Sequence, residues 1–444
     1  MARGGRFCSD VRIGTEAARV NPANILVFPC GSEIALEIQR ALSRARGLRL
    51  CGASASVSNH GRHAFERYAE GVPFVDQPGC ADALRAVVRD FGADFIYPAH
   101  DDALCLLAGR EDLGARVLGS GAETAAICRS KRATYERLEG RVRVPRVYAT
   151  DEAYPVPVFL KPDASQGSKG TCLARSRAEV AIMLDRDPSL LLLEYLPGRE
   201  YTVDCFTDRF GALRFAGARE RIRTSSGIST HTRVAEAARF QAIAKAANEA
   251  LSFRGAWFFQ VKEDARGELA LMEAAPRVSG GMGLYRCRGI NLPLLTVYDA
   301  MGLDVDIPPQ ADVPEMDRAL QARYTLGFHY SVVYLDFDDT LCHEGHLDPM
   351  AVAFLAQCRN RGIPVRLLSR HAGDLAARLE SLGLSGWFDA VHHLDAKQDK
   401  AEFIREPDAL FIDDSFAERE RVRAACGVPV FAPDAFEALL DGRA

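Results

Sequence analysis

Apolar residues in this chain keep two rhythms. Short unbroken runs, ILVF at 25–28, FIYP at 95–98, VVYL at 332–335 and ALFI at 409–412, suit strands buried on both faces. Between them, in stretches such as EIALEIQRALSRA and ADALRAVVRDF, apolar positions recur every three or four residues, the spacing of a helix with one buried stripe. Residues 20–125 therefore read as strand, glycine turn, amphipathic helix and strand, with the order repeated, a doubly wound α/β unit. From 126 to 305 strands dominate (VPVFLKP, SLLLLEYL, EYTVDCFTD, ALRFAGARER, WFFQVKED, LALMEAAPR) around one helix at ARFQAIAKAANEALSF, an α+β pattern. The run DVDIPPQADVPEMD, rich in Pro and Asp, leads through a linker at 306–330. Beyond it, SVVYLDFD, VRLLSR, AVHHL and ALFIDD are strands separated by helical stretches, so 331–444 reads as a second doubly wound unit. The fold class is thus α/β and α+β, in several domains.

Composition narrows the function classes. A chain of 444 residues that is 48% apolar can bury several real cores. A formal charge of −5 carries no basic excess of the kind a nucleic-acid partner demands. The twelve cysteines stand singly with no CxxC pair, which suits free thiols in a reducing compartment. MARGGRFCSDVRIG lacks the apolar core of a secretory signal, and no apolar run is long enough to cross a bilayer, so the expected address is cytoplasmic with no membrane partner.

Chemistry-bearing residues concentrate at strand ends. FLKPDASQGSKGTCLA delivers Lys161 on a strand and follows it with a loop holding Ser165, Gly167, Ser168 and Gly170, small residues that let backbone N–H groups close on phosphate oxygens. Its spacing is not that of a P-loop, and a plain hairpin explains the stretch as well. LLLLEYLPGREYTVDCFTD places Glu194 at a strand end and Glu200 after a turn; FFQVKEDARGELALMEAAPR sets Gln260 and Glu273 on adjacent strands, then Arg277. Oxygen ligands on neighbouring strands about 4.8 Å apart can share one Mg²⁺.

In this order the stretches resemble the ATP-grasp superfamily, most closely its carbamoyl-phosphate-synthetase-like branch, over residues 20–305. The resemblance implies a pre-ATP-grasp domain at 20–125 and the ATP-grasp domain at 126–305. It implies that Lys131 and Lys161 contact ATP phosphates under the 165–170 loop. Glu194 and the Leu196 backbone would meet adenine, Glu200 the ribose, Gln260 and Glu273 would bind Mg²⁺ (or Mn²⁺ in its place), and Arg277 would steady an acyl phosphate. Ala275 occupies the position of the family's metal-binding Asn. Either water completes the metal shell there, or the site binds nucleotide without turning it over. Arg219, Arg221 and Arg223, in a loop over the acceptor site, read as anion ligands or as a solvated basic face. His100, Asp101 and Asp102 read as cleft residues or as a helix cap.

In YLDFDDTL a buried strand ends in Asp336 and Asp338, two residues apart, followed by Asp339. Spacing by two suggests one face, where a carboxylate nucleophile could work beside a carboxylate acid/base with Mg²⁺ relieving their repulsion. Ser369 ends VRLLS, Lys397 and Lys400 precede a helix, and Asp413 and Asp414 end ALFIDD. The set resembles the haloacid-dehalogenase-like (HAD) phosphohydrolase superfamily, a small Rossmannoid fold. The resemblance implies that Asp336 takes the phosphoryl group, Asp338 carries the proton, Ser369 holds a phosphoryl oxygen, Lys400 offsets charge, and Asp336, Asp338, Asp413 and Asp414 serve Mg²⁺. The short stretch after Asp338 leaves no room for a large cap. Against this stands an acidic strand-end cluster without catalysis.

Taken together the expectation is a bifunctional enzyme, an ADP-forming carboxylate–amine ligase joined to a phosphomonoester hydrolase. Its partners would be a small-molecule carboxylate, amine and phosphoester, and a homodimer is the expected assembly.

Overall fold

A computed structural model of the protein describes residues 22–55, 58–165, 167 and 169–443. The N-terminal segment on which the signal-peptide reading was made and Ser168 lie outside the described residues. The described residues divide into two compact units, one running up to residue 320 and the other beginning at 321.

The first unit begins with a five-stranded parallel sheet in the order Arg67–Ala69, Leu48–Ala53, Ala23–Phe28, Phe95–Pro98, Arg116–Val117. The apolar run 25–28 is its central strand, buried on both faces. Helix Glu33–Leu42 follows, its first turn capped by Ser32, which accepts from the Ala35 N–H, and its Ile34, Ile38 and Leu42 stripe facing inward.

Two antiparallel sheets complete this unit. A four-stranded one has the order Val147–Tyr148, Leu191–Glu194, Val158–Lys161, Cys172–Ala174. A six-stranded one runs Leu269–Ala275, Gly255–Glu263, Glu200–Thr207, Leu213–Ser225, Ile228–Val234, Glu315–Asp317. Helix Ala238–Leu251 lays Phe240, Ala244, Ala247 and Leu251 on Val203, Trp257 and Phe259 of that sheet. Trp257 stacks on Phe253 with centroids 3.8 Å apart, and its buried N–H donates to Thr207 Oγ1 at 2.8 Å.

Two expectations are revised. The arginine-rich stretch expected as a loop is a β-hairpin, Leu213–Ser225 with Ile228–Val234, turning at Ser226 and Gly227, both at positive φ. Inside the expected linker, Glu315–Asp317 pairs antiparallel with the hairpin's second strand. That edge would otherwise present unpaired N–H and C=O groups, and the ladder overrides the loop-like composition of the run.

The second unit is a five-stranded all-parallel sheet in the order Ala390–His393, Val365–Ser369, Val332–Leu335, Ala409–Ile412, Val430–Phe431. Between its central strand and helix Pro349–Asn360 lies only a small hairpin, Cys342–His343 with His346–Leu347. The eleven described cysteines are all free. Among the described residues no helix is long and apolar enough to cross a membrane.

Phe354 is fully buried in the second unit's core, its ring 5.6 Å from that of Phe436 and 6.5 Å from that of Tyr330. Phe354→Ala is expected to lower the unfolding free energy by about 3–5 kcal/mol, read from urea denaturation; an unchanged midpoint would contradict this packing.

Candidate active sites in the two units

In the first unit, a pocket of about 150 Å³ is lined by Lys131, Lys161, Ser165, Gly167, Glu194, Leu196, Glu200, Gln260 and Glu273, among others. It adjoins a cleft of about 1150 Å³ that shares Lys131, Ser165, Gly167, Gln260 and Glu273 and adds Gly170 and Arg277. Gln260 and Glu273 are direct cross-strand partners, so both side chains emerge on one face at the junction.

Both lysines are buried. Lys161 Nζ donates to the Met272 carbonyl at 3.3 Å and lies 5.6 Å from the Tyr135 ring centroid. Lys131 Nζ donates to the Asp163 carbonyl at 3.0 Å and to Ser165 at 3.3 Å. Burial pushes the Lys161 ammonium down to about 8, with Glu273 pulling the other way. Lys131 is lowered for the same reason and against the same opposition. Two buried ammonium groups held mainly by neutral carbonyls fit a polyanionic ligand.

The loop after Lys161 is held over this pocket by the hairpin tip. A Cβ at Gly227 would collide with the Gly167 backbone, and both residues have φ in the left-handed region, 76° and 64°.

Several expected ligands are already engaged. Glu194 pairs with Arg143 at 2.6 Å and accepts from the Arg146 N–H at 3.2 Å; the strand ladder ends there, two residues before Leu196. Glu200 is held by Arg221 at 2.7 Å and Lys262 at 3.8 Å. Arg277 grips both oxygens of Asp101 at 2.7 Å. Burial works against the Asp101 charge, but the guanidinium outweighs it and keeps the carboxyl below its ordinary value. His100 is the N-cap of helix Asp101–Leu107, accepting from the Asp102 N–H.

The three hairpin arginines part company. Arg219 is buried against Asp204 at 2.7 Å, Arg221 faces Glu200, and Arg223 is exposed beside Asp317. Ala275 pairs with Phe258 and sits in the hydrophobic core at the cleft wall, offering no oxygen. Sequence reading passed over Lys262 and Met272, whose roles depend on cross-strand neighbours no local pattern reveals.

In the second unit, Asp336, Asp413 and Asp414 bring carboxylate oxygens within 4.8 Å of one another, the only such trio of acidic, His or Cys side chains among the described residues. Lys400 Nζ stands 2.6 Å from Asp413 Oδ2 and 2.8 Å from Asp336 Oδ1. The second contact is an ion pair poorly aligned for a hydrogen bond, so Asp336 Oδ1 is buried with a lone pair unmet. That donor-poor trio of hard oxygens fits Mg²⁺. Thr340 Oγ1 accepts from the Asp414 N–H at 2.9 Å. Lys400, on a short 3₁₀ turn, is the lysine that reaches the carboxylates, whereas Lys397 is exposed.

Asp338 departs from expectation. Its carboxylate is not in the trio but lies 2.9 and 3.0 Å from His371 Nδ1. The strand ends at Leu335 and the chain turns, with Asp339 at φ 53°, so the two-residue period that would align Asp336 with Asp338 no longer operates. Ser369 is fully buried, and its Oγ accepts from the His371 N–H at 3.2 Å. His371 was not singled out in the sequence.

A profile of the family described as "ATP-grasp in the biosynthetic pathway with Ter operon" matches residues 186–326. No curated protein matches the chain. Among solved structures, the chain resembles the biotin carboxylase of Campylobacter jejuni, solved as a β,γ-ATP complex (TM-score 0.54, 15% identity, 64% of this chain and 72% of that one). It also resembles the biotin carboxylase domain dimer of Hydrogenobacter thermophilus 2-oxoglutarate carboxylase, in complex with MgADP, ADP and bicarbonate (0.53, 18%, 66% and 72%). A third is the L-amino acid ligase of Bacillus licheniformis (0.53, 18%, 64% and 75%). At such identity the likeness is one of fold. The chain is a mixed α/β multidomain protein with an ATP-grasp fold. These matches concern that fold, and the reading of the second unit rests on its own geometry.

Burial raises the Asp336 carboxyl from 3.8 to about 6 despite Lys400, with Asp413 adding to the rise; burial raises Asp413 as well. A folded pKa above the ordinary value means that the protonated carboxyl favours the fold, fully below pH 3.8, and that this contribution is gone above about 6. Near neutrality the ionised cluster weighs on the unit, and a divalent cation relieves it. In thermal unfolding, Mg²⁺ at about 100 times its Kd is expected to add about 2.7 kcal/mol near neutral pH, less at acid pH, and little in Asp336→Asn. An equal shift in that variant would place the cation elsewhere.

Proposed function

We propose that the protein is a bifunctional enzyme: an ATP-dependent, ADP-forming carboxylate–amine ligase joined to a Mg²⁺-dependent phosphomonoester hydrolase. The proposed domains are 20–125 (N-terminal α/β), 126–305 (ATP-grasp) and 331–444 (HAD-like). The observation that carries the ligase half is the shared wall of pocket and cleft, where Lys131, Gln260 and Glu273 face both spaces. A nucleotide in the pocket then meets a second substrate in the cleft at these residues.

In this reading Lys131 and Lys161 neutralise the ATP phosphates, and the 165–170 loop, including Ser165, Gly167, Ser168 and Gly170, covers them. Glu194 and Leu196 flank the adenine and Glu200 the ribose. Gln260 and Glu273 hold Mg²⁺, which supplies charge neutralisation between the phosphoryl groups. The acid's carboxylate oxygen attacks the γ-phosphorus and ADP leaves. The amine nitrogen then attacks the acyl carbon and phosphate leaves. Arg277, pinned by Asp101, presents a fixed cation to the acyl phosphate.

The hydrolase half is supported by the Asp336, Asp413 and Asp414 trio, two members of which, Asp336 and Asp413, pair with Lys400. Mg²⁺ held by the trio supplies charge neutralisation at the phosphoryl oxygens. Asp336 is the nucleophile, Lys400 offsets charge, Ser369 lines the phosphoryl site, and Asp338 carries the proton rather than ligating the metal by its side chain. A second reading is favoured by Ala275, which removes an oxygen ligand: the ATP-grasp half is a nucleotide-binding scaffold or sensor and only the hydrolase turns over.

The two readings separate in one assay. Screening carboxylate and amine pools with ATP and Mg²⁺ is expected to give ADP release that requires both pools, falls about 100-fold or more in Lys161→Ala, and persists in Asp336→Asn. Nucleotide binding without carboxylate-stimulated ADP release would establish the scaffold instead. Product mass from the Asp336→Asn reaction is expected to reveal a retained phosphate.

A further inference from the structure

We propose that His371 is the positioning residue for Asp338, holding its carboxylate where it can pass a proton to and from the phosphoester oxygen. The inference rests on the phosphatase reading of the second unit. Asp338 lies beyond the end of its strand, at an isolated bridge to Cys342 just before the turn at Asp339, with its side chain half exposed. An exposed carboxylate in that setting has free rotamers, and nothing in the backbone selects the one aimed at the nucleophile. His371 Nδ1 lies almost equally far from the two carboxylate oxygens, 2.9 and 3.0 Å, and so restrains the whole group.

The imidazole is itself fixed. Its ring meets Phe337 edge-on, centroids 5.2 Å apart and planes at 83°. The His371 backbone N–H donates to Ser369 Oγ at 3.2 Å, and the His371 backbone carbonyl lies 2.8 Å from His393 Nε2. His371 is thereby tied to the ends of two adjacent parallel strands, Val365–Ser369 and Ala390–His393, while Phe337 follows the central one. With its backbone tied at two points and its ring set against Phe337, His371 lends order to a carboxylate that has little of its own.

The step is as follows. An Asp336 oxygen bonds to phosphorus as the P–O ester bond breaks, and the Asp338 proton goes to the departing oxygen. Water then attacks the phosphoaspartate, its proton goes to Asp338, and phosphate leaves with Asp336 restored. Esters with poor leaving groups need the first proton transfer; esters of acidic phenols do not.

The test uses the whole 444-residue chain with Mg²⁺, comparing an alkyl phosphate with dinitrophenyl phosphate. His371→Ala is expected to lower kcat/KM for the alkyl ester about 100-fold while leaving that for the dinitrophenyl ester within about threefold, with a burst of dinitrophenol as phosphoenzyme hydrolysis slows. His371→Gln, whose amide N–H reaches toward Asp338, is expected to recover most of the alkyl activity. If the alanine variant does not fold, His371→Leu, which fills the space beside Phe337, carries the same expectation. Equal losses on both esters, or no loss on the alkyl ester, overturn the inference and leave the phosphatase reading standing. A wild-type protein that hydrolyses neither ester overturns both.

Discussion

Charge buried with too little counter-charge is the constraint on which both sites depend. Lys131 and Lys161 sit among carbonyl oxygens and an aromatic ring, with Glu273 the acidic group that most opposes their loss of charge. In the second unit three aspartates cluster, and a single lysine pairs with two of them, Asp336 and Asp413. Ions in such places cost several kcal/mol each unless compensated. Ligands of opposite sign would complete such arrangements: phosphates at the lysines and, in the proposed reading, a divalent cation at the aspartates. The depressed Lys161 ammonium and the raised Asp336 carboxyl are two signs of the same incomplete neutralisation.

Sheet geometry makes that crowding achievable. In the first unit an antiparallel register sets Gln260 opposite Glu273, and the adjoining hairpin presses Gly227 on Gly167 so that the loop stays over the pocket. In the second, parallel strands bring Asp336, Ser369 and Asp413 to one edge of a sheet, since all four principal strands point the same way. The large dry cores beneath, around Trp257 in one unit and Phe354 in the other, hold the strand ends rigid enough for like charges to stay close.

The two chemistries proposed for this chain would place different demands on their surroundings. The proposed ligase would have to hold an acyl phosphate away from water, and the first unit's pocket opens into a cleft walled by ion pairs such as Arg277 with Asp101 and Arg318 with Glu33. The proposed hydrolase would have to admit water, and Asp338 and Asp414 are partly exposed.

Much of this was legible from local pattern. Unbroken apolar runs announced the buried strands, three-to-four spacing announced helices such as Ala238–Leu251, and the acidic ends of VVYLDFDD and ALFIDD announced a cluster of carboxylates. These features depend only on residues close in the chain, where burial period and side-chain chemistry are written directly. What pairs with what was decided by the tertiary structure: Glu315–Asp317 joining a sheet from a Pro-rich run, Arg219 spent on Asp204, Lys400 chosen over Lys397, and Asp338 turned to His371 once its strand had ended. Each of those outcomes is a choice among distant partners, and a one-dimensional pattern carries the need for a partner but not its address.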